Sequence, residues 1–180
     1  MWKTISSKIV HKNPWWRVSR DEFQMPSGKK GNYFMLETRG SSFIVAVKEG
    51  KILLERQYRY RYPLGNFVIE VPGGQLKEGS AARAAAREEL EEELGYRAKQ
   101  LKKIGAFVPF IGVSNEKCTV FLATELAFVG TKREETEVMN TLEIDIATVY
   151  EMIESGKIND GMSIAALAIA RPYLMDQISP

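Results

Sequence analysis

GGQLKEGSAARAAAREELEEELGY, residues 73–96, decides how the rest of the chain is read. Its second half sets five carboxylates, Glu88, Glu89, Glu91, Glu92 and Glu93, within six positions of a chain whose formal net charge is only +2. Ser80 is a favoured N-cap residue and Gly95 a favoured residue just past a helix end, so the stretch predicts a helix over about residues 81–94. Ala82, Ala86, Leu90 and Leu94 recur every four residues and form the stripe that faces the core. Glu89, Glu92 and Glu93 are three and four residues apart and share the neighbouring face. That face lies in the last turn and a half, where the helix dipole already concentrates negative charge. Each like-charged pair there costs about 0.2–0.5 kcal/mol, and each charge at the terminus roughly 0.3–1 kcal/mol. A solvated acidic face tolerates that cost, with Arg87 available to Glu91 at four-residue spacing, whereas Arg83 has no acidic residue at either helical spacing. The other reading is a bound cation: three carboxylates and loop carbonyls suit a hard ion, Mg²⁺ or Mn²⁺.

Immediately upstream, FVIEV (67–71) reads as a short apolar strand ending at Pro72-Gly73-Gly74, whose glycines permit close backbone approach by a ligand. Before it, SFIVAV, the turn KEGK and ILLERQYRYRY read as a hairpin. The alternating Arg and Tyr of that run imply one wet and one packed strand face, with a stacking strip for single-stranded RNA as the alternative. KTISSKIVHK, PWWRVSRDEFQM and YFMLETR, separated by Asn13-Pro14 and PSGKKGN, read as three further strands. Downstream, LKKIGAFV and CTVFLATELAFV read as strands joined by PFIGVSNEK, and DIATVYEMIESG and DGMSIAALAIARPYLM as two helices. This order predicts an α+β fold or a sheet between helices rather than a regular βαβ array.

The 180 residues suit one domain or one domain with a small appendage, and 44% hydrophobic with 27% charged residues is a globular composition. The near-neutral charge speaks against nucleic-acid or membrane-surface binding, and no run approaches the roughly 18 apolar residues of a membrane span. MWKTISSKIVHKN lacks the apolar core of a secretory signal, so a cytoplasmic location is expected. A lone cysteine, Cys118, excludes an internal disulfide framework and a cysteine-based zinc site, and it reads as a small core residue. The lone histidine, His11, sits in a strand-like segment with no local partners for catalysis.

Strand, Gly-Gly, loop and carboxylate helix together resemble the Nudix box, G-x5-E-x7-R-E-U-x-E-E-x-G-U with U aliphatic or aromatic. Gly74, Glu89, Leu90, Glu92, Glu93, Gly95 and Tyr96 fill seven of its nine defined positions. The first glutamate of the pattern falls on Ser80 and its arginine on Glu88. In the family those two residues are associated with holding loop and helix in register. Both members are replaced here, which avoids leaving one buried charge alone. Glu78 and Arg87 are the nearest residues for a displaced version of the contact.

NPWWRV, LLERQYRY with FVIEVPGG, and GVSNE extend the likeness to the ADP-ribose pyrophosphatase and nucleoside-diphosphate-sugar branch. The resemblance implies a Nudix fold, a mixed β-sheet sandwiched between helices with an N-terminal antiparallel β segment. It implies Mg²⁺-dependent hydrolysis of the pyrophosphate of ADP-ribose or a nucleoside diphosphate sugar such as GDP-mannose, with Mn²⁺ as an alternative ion. By that likeness Glu89, Glu92, Glu93 and the Gly73 carbonyl hold metal, so Glu92 and Glu93 act in catalysis. Arg59, Glu70 and Glu116 lie at the substrate, Trp15 and Trp16 are base-stacking candidates against an ordinary core or interface role, and Glu134 or Glu135 is the candidate base. Residues 1–40 form a dimerisation segment, exchanged between subunits in the branch, and residues 41–180 the Nudix domain; Trp2, Trp15, Trp16 and Phe23 supply apolar surface for a homodimer. The competing functions are a Nudix hydrolase acting on NADH or a nucleoside triphosphate, and a nucleotide-sugar sensor that does not cut.

Overall fold

Alternation along SSFIVAVK (Ser41–Lys48, β4) sends successive side chains into two different cores. In the computed structural model, which describes residues 1–61, 63–132 and 138–175, Ile44 and Ala46 face one helix layer while Val45 and Val47 face another. Such a strand is apolar on both sides because helices cover both sheet faces. A two-residue turn at Glu49-Gly50, both at positive φ, returns the chain into Lys51–Tyr58 (β5).

The N-terminal strands Lys3–Lys12 (β1), Arg17–Gln24 (β2) and Lys30–Glu37 (β3) form an antiparallel sheet in the order β1-β2-β3. Every residue of β1 is exposed. The remaining strands are Phe67–Glu70 (β6), Gly73–Gln75 (β7), Tyr96–Phe107 (β8), Cys118–Phe128 (β9) and Met139–Asp145 (β10). They join β4 and β5 in a seven-stranded sheet of order β10-β5-β4-β9-β8, with β6 on β5 and β7 on β4. The β4–β9 pair is parallel and the other pairs antiparallel, so the sheet is mixed. The helix Ala82–Leu94 (α1) covers one face through Ala86, Leu90 and Leu94, with Ala82 at the margin. Ile146–Glu154 (α2) and Gly161–Leu174 (α3) cover the other with Ile146, Val149, Leu167 and Leu174. Burying a side chain such as Leu90 contributes roughly 1.5–3 kcal/mol. This is the α+β, Nudix-type sandwich that the sequence led us to expect, and no helix among the described residues is long and apolar enough to cross a membrane.

The two sheets are fastened by backbone. Leu36 N–H donates to the Val113 carbonyl at 2.8 Å, Asn115 N–H to the Leu36 carbonyl at 3.2 Å, and Thr38 N–H to Asn115 Oδ1 at 2.9 Å. Tyr33 adds a hydroxyl bond to the Gly112 carbonyl. The loop between β8 and β9 is thereby stitched onto β3.

Four expectations change. β7 and β10 were not anticipated. The helix begins one residue late: Ala81 is the N-cap, without a side-chain bond, because Ser80 N–H closes a turn onto the Lys77 carbonyl. β5 stops at Tyr58, which meets the Phe67 ring edge-on, and Tyr60 is exposed rather than packed, since Arg59 N–H turns to the Asn66 carbonyl. Arg56 instead lays its guanidinium over the Phe67 ring, 4.0 Å from the centroid. Cys118 is fully buried as expected, and burial, aided by Glu116 and Asp160, pushes its thiol up to about 12.

Candidate active site

The segment before α1 is pinned from both sides. Val71 N–H donates to the buried Ser163 Oγ of α3 at 3.0 Å, and the Pro72 carbonyl accepts from Ile44 N–H at 2.9 Å. β7 then pairs with Ser41–Phe43 of β4 directly beneath the carboxylate end of α1. Because Leu90 and Leu94 anchor that end in the core, Glu93 is turned inward and is only 5% exposed. Its Oε2 accepts the Gly73 N–H at 3.0 Å. Next to it Gly74 lies against Glu89: a Cβ at Gly74 would stand 2.1 Å from Glu89 Oε1. A Cβ at Gly73 would meet the Ser42 carbonyl oxygen at 2.4 Å. Both glycines are therefore there for room, and strand and helix interlock through them.

The five carboxylates divide by partner. Glu91 takes Arg97 at 2.6 and 2.9 Å and Lys132 at 2.8 Å, rather than Arg87. Hydrogen bonds from Arg97 and then Lys132 hold its carboxyl down at about 2. Glu88 pairs with Lys77, and neither Glu78 nor Arg87 makes the loop-to-helix contact. Glu92, half-buried, accepts Lys132 N–H on its backbone carbonyl at 3.0 Å. Of the other three, Glu93 and Glu89 meet β7 at Gly73 and Gly74, whereas Glu92 lines a separate pocket with Arg87, Glu88, Glu91 and Lys132.

Just beyond β5, Arg59 grips Glu70 with Nη2–Oε2 at 2.6 Å and Nε at 3.3 and 3.2 Å from the two oxygens. Burial works against the Arg59 charge, but Glu70, with Glu55 and Glu93 acting at longer range, outweighs it and raises its pKa. Burial also raises the Glu70 pKa, against the pull of Arg59 and with help from Asp160. Glu55 stands opposite Glu70 in the β5–β6 register and is 1% exposed. The sequence reading passed over it, although one carboxylate inside ILLERQY is a legible break in an apolar run.

Glu116 bonds Ser41 Oγ, and Ser41 pairs with Gln75, so this carboxylate stands at the end of β7. Trp15 and Trp16, 66% and 39% exposed, line a 410 Å³ cleft with Lys12, Arg39, Lys77 and Asn115. Asn13 Oδ1 accepts both of their N–H groups, at 2.9 and 2.8 Å, which sets the turn that presents them. The box carboxylates do not line that cleft; Lys77 belongs both to it and to the Glu88 pair. Glu134 and Glu135 lie outside the described residues.

Among the described residues no three His, Cys, Asp or Glu side chains gather around one point. The donor chemistry nevertheless fits a hard divalent cation: carboxylate oxygens only, one pinned by a backbone amide and one held against a glycine.

Residues 37–154 match the family description "NUDIX domain", and residues 2–36 match "Nucleoside diphosphate sugar hydrolase N-terminal domain". An ADP-ribose pyrophosphatase of Bacillus subtilis (strain 168) is 33% identical over 168 residues, covering 92% of this chain and 90% of that protein. A methanol dehydrogenase activator of Bacillus methanolicus is 26% identical over 172 residues, covering 92% of this chain and 90% of that protein. An ADP-ribose pyrophosphatase of Mycobacterium tuberculosis (strain ATCC 25618 / H37Rv) is 31% identical, covering 92% of this chain and 81% of that protein. Among solved structures, the crystal structure of an ADP compounds hydrolase superposes with a TM-score of 0.84 at 19% identity, covering 98% of this chain and 96% of that one. That last likeness speaks to the fold.

Proposed function

The chain belongs to the Nudix hydrolase family and is a pyrophosphohydrolase, and from that premise we propose that it cleaves the pyrophosphate of ADP-ribose or of a nucleoside diphosphate sugar such as GDP-mannose, using Mg²⁺. The observation that carries this reading is the interlock of Gly73 with Glu93 and Gly74 with Glu89, which stations two carboxylates where strand and helix meet. In this reading Glu89, Glu92, Glu93 and the Gly73 carbonyl hold the ion. Such an ion supplies charge neutralisation at the diphosphate and acidifies water beside it. The Gly73 N–H bond fixes Glu93, one member of that set, before an ion arrives. Arg59 is the substrate-binding residue in this reading, and its fork on Glu70 supports that role. Trp15 and Trp16 offer aromatic faces to the nucleobase. Water adds to one phosphorus as the bridging P–O bond breaks, its proton going to Glu134 or Glu135; the products are a nucleoside monophosphate and a sugar phosphate.

We assign residues 1–40 to dimerisation and residues 41–180 to the hydrolase domain. Supporting this, β1 leaves ten exposed residues and a free edge beside exposed Trp2, Ile5 and Ile9. Light scattering should return twice the 20.4 kDa chain mass, and a monomer would remove the assignment. For the reaction, ADP-ribose and GDP-mannose are incubated in parallel with Mg²⁺ or with chelator. AMP or GMP release that stops on chelation is expected; saturable binding of both compounds without cleavage would refute it.

A further inference from the structure

Resting on the assignment of Glu89, Glu92 and Glu93 as the ion-holding carboxylates, we propose that Lys77 and Glu88 are positioning residues that hold the box loop in register on α1. Their polarity is the inverse of the family pattern: there the loop supplies the acid and the helix the base, whereas here the loop supplies Lys77 and the helix Glu88.

The loop has little else to hold it to the helix. Leu76 N–H is tied back to the Gly40 carbonyl, and Ser80 N–H closes onto the Lys77 carbonyl, but Glu78, Gly79 and Ser80 are exposed. The N-cap Ala81 makes no side-chain bond and the first helical turn contains no acidic residue, so neither of the usual side-chain fastenings of a helix start is present. The Lys77–Glu88 bond spans eleven residues and reaches the second turn. It clamps the interlock at both flanks: Lys77 lies three residues beyond Gly74, and Glu88 immediately precedes Glu89, whose carboxylate rests on Gly74. The Lys77 ammonium answers first to Glu88 and then, across a longer distance, to Glu92 and Glu89. A slip of loop against helix would carry Gly74 away from Glu89.

Charge alone and register make opposite forecasts for Lys77. If the two residues act only through their field, Lys77→Met adds net negative charge and tightens cation binding, while Glu88→Gln loosens it. If they act by register, both substitutions loosen it, and the exchanged pair Lys77→Glu with Glu88→Lys restores it. The test is Mn²⁺ titration calorimetry on the full chain, with melting temperature as the check on folding and Glu93→Gln as the control. Both single variants should weaken Mn²⁺ binding by about two- to fivefold, the size of effect expected of an exposed pair, and the exchange should recover wild-type affinity within about twofold. Opposite signs for the two singles, or no recovery in a folded exchange variant, overturns the proposal. An exchange variant that does not fold is replaced by Glu88→Asp and Lys77→Arg, which keep the polarity and should each bind Mn²⁺ within about twofold of wild type; failure there counts against it equally. If Glu93→Gln leaves Mn²⁺ binding untouched, it is the carboxylate assignment that has failed, and this inference with it.

Discussion

Glu93→Gln separates what Glu93 does for the fold from what it does for the reaction. The side chain keeps its volume, and its amide oxygen still accepts the Gly73 N–H that Oε2 accepts at 3.0 Å. Two electrostatic changes oppose each other: the attraction of Arg59 is lost, and so is the cost of burying an anion that is 5% exposed. The net should stay within about 1 kcal/mol, or roughly 2–4 °C in melting temperature for a chain of this size. Turnover has no such compensation. Loss of one anionic ligand should reduce it by a factor on the order of 10² or more, about 2.7 kcal/mol of transition-state stabilisation. Glu93→Ala should be equally inactive but less stable, because it leaves the Gly73 amide without its acceptor, a loss of about 1–3 kcal/mol before any cavity is counted. Nucleoside monophosphate release by chromatography at fixed Mg²⁺, with thermal melts of both variants, reads out the two effects. A Gln variant within tenfold of wild-type turnover, or Gln and Ala variants melting together, would refute the reasoning.

The two box glycines should fail in different ways. Gly73→Ala drives a Cβ into the Ser42 carbonyl, which is backbone, and should cost roughly 1–3 kcal/mol of stability; Gly74→Ala meets the mobile end of Glu89 and should melt near wild type while losing turnover by about 10². A stable Gly73 variant or an active Gly74 variant contradicts the interlock. Glu91→Gln should leave turnover within about threefold, since Arg97 and Lys132 make it a structural carboxylate. Its folded pKa is lowered to about 2, so the stability it gives is complete above the ordinary value of 4.5 and is lost as pH falls through 2. Urea melts at several pH values should therefore show the wild-type advantage over Glu91→Gln shrinking across that window; a constant difference argues against the ion pairs. Arg59→Lys gives up the fork on Glu70 and should raise KM by about tenfold with a smaller change in kcat, the reverse split counting against a binding role.

The sandwich was legible wherever a single periodicity controlled an element. The Ala82–Leu94 stripe, the Gly95 stop and the KEGK hairpin all announce themselves locally. β7 does not, because Gly73-Gly74-Gln75 has no side-chain alternation and becomes a strand only when β4 lies alongside. β10 is an edge strand with mixed polarity, and its pairing with β5 brings together residues more than eighty positions apart. Glu55 shows the limit for the site. A carboxylate on a strand ordinarily marks the wet face, and only the placement of α1 over that face turns it into a buried neighbour of Arg59. Lys77–Glu88 was missed for a related reason: three- and four-residue spacing describes contacts within a helix and says nothing about a loop folding back over it.

Leu36 gives and receives a backbone hydrogen bond with the β8–β9 loop, and it is the last residue of the N-terminal family match. The border between the two matched regions is thus a seam between family descriptions but not of mechanics. A chain begun at residue 41 would free the loop that carries Glu116 from its scaffold rather than yield a smaller hydrolase. Likewise, grafting the first forty residues of a relative onto this domain calls for grafting residues 108–116 as well, since the two stretches are stitched into one bridging ladder. The family matches divide this molecule at a place where force passes straight through.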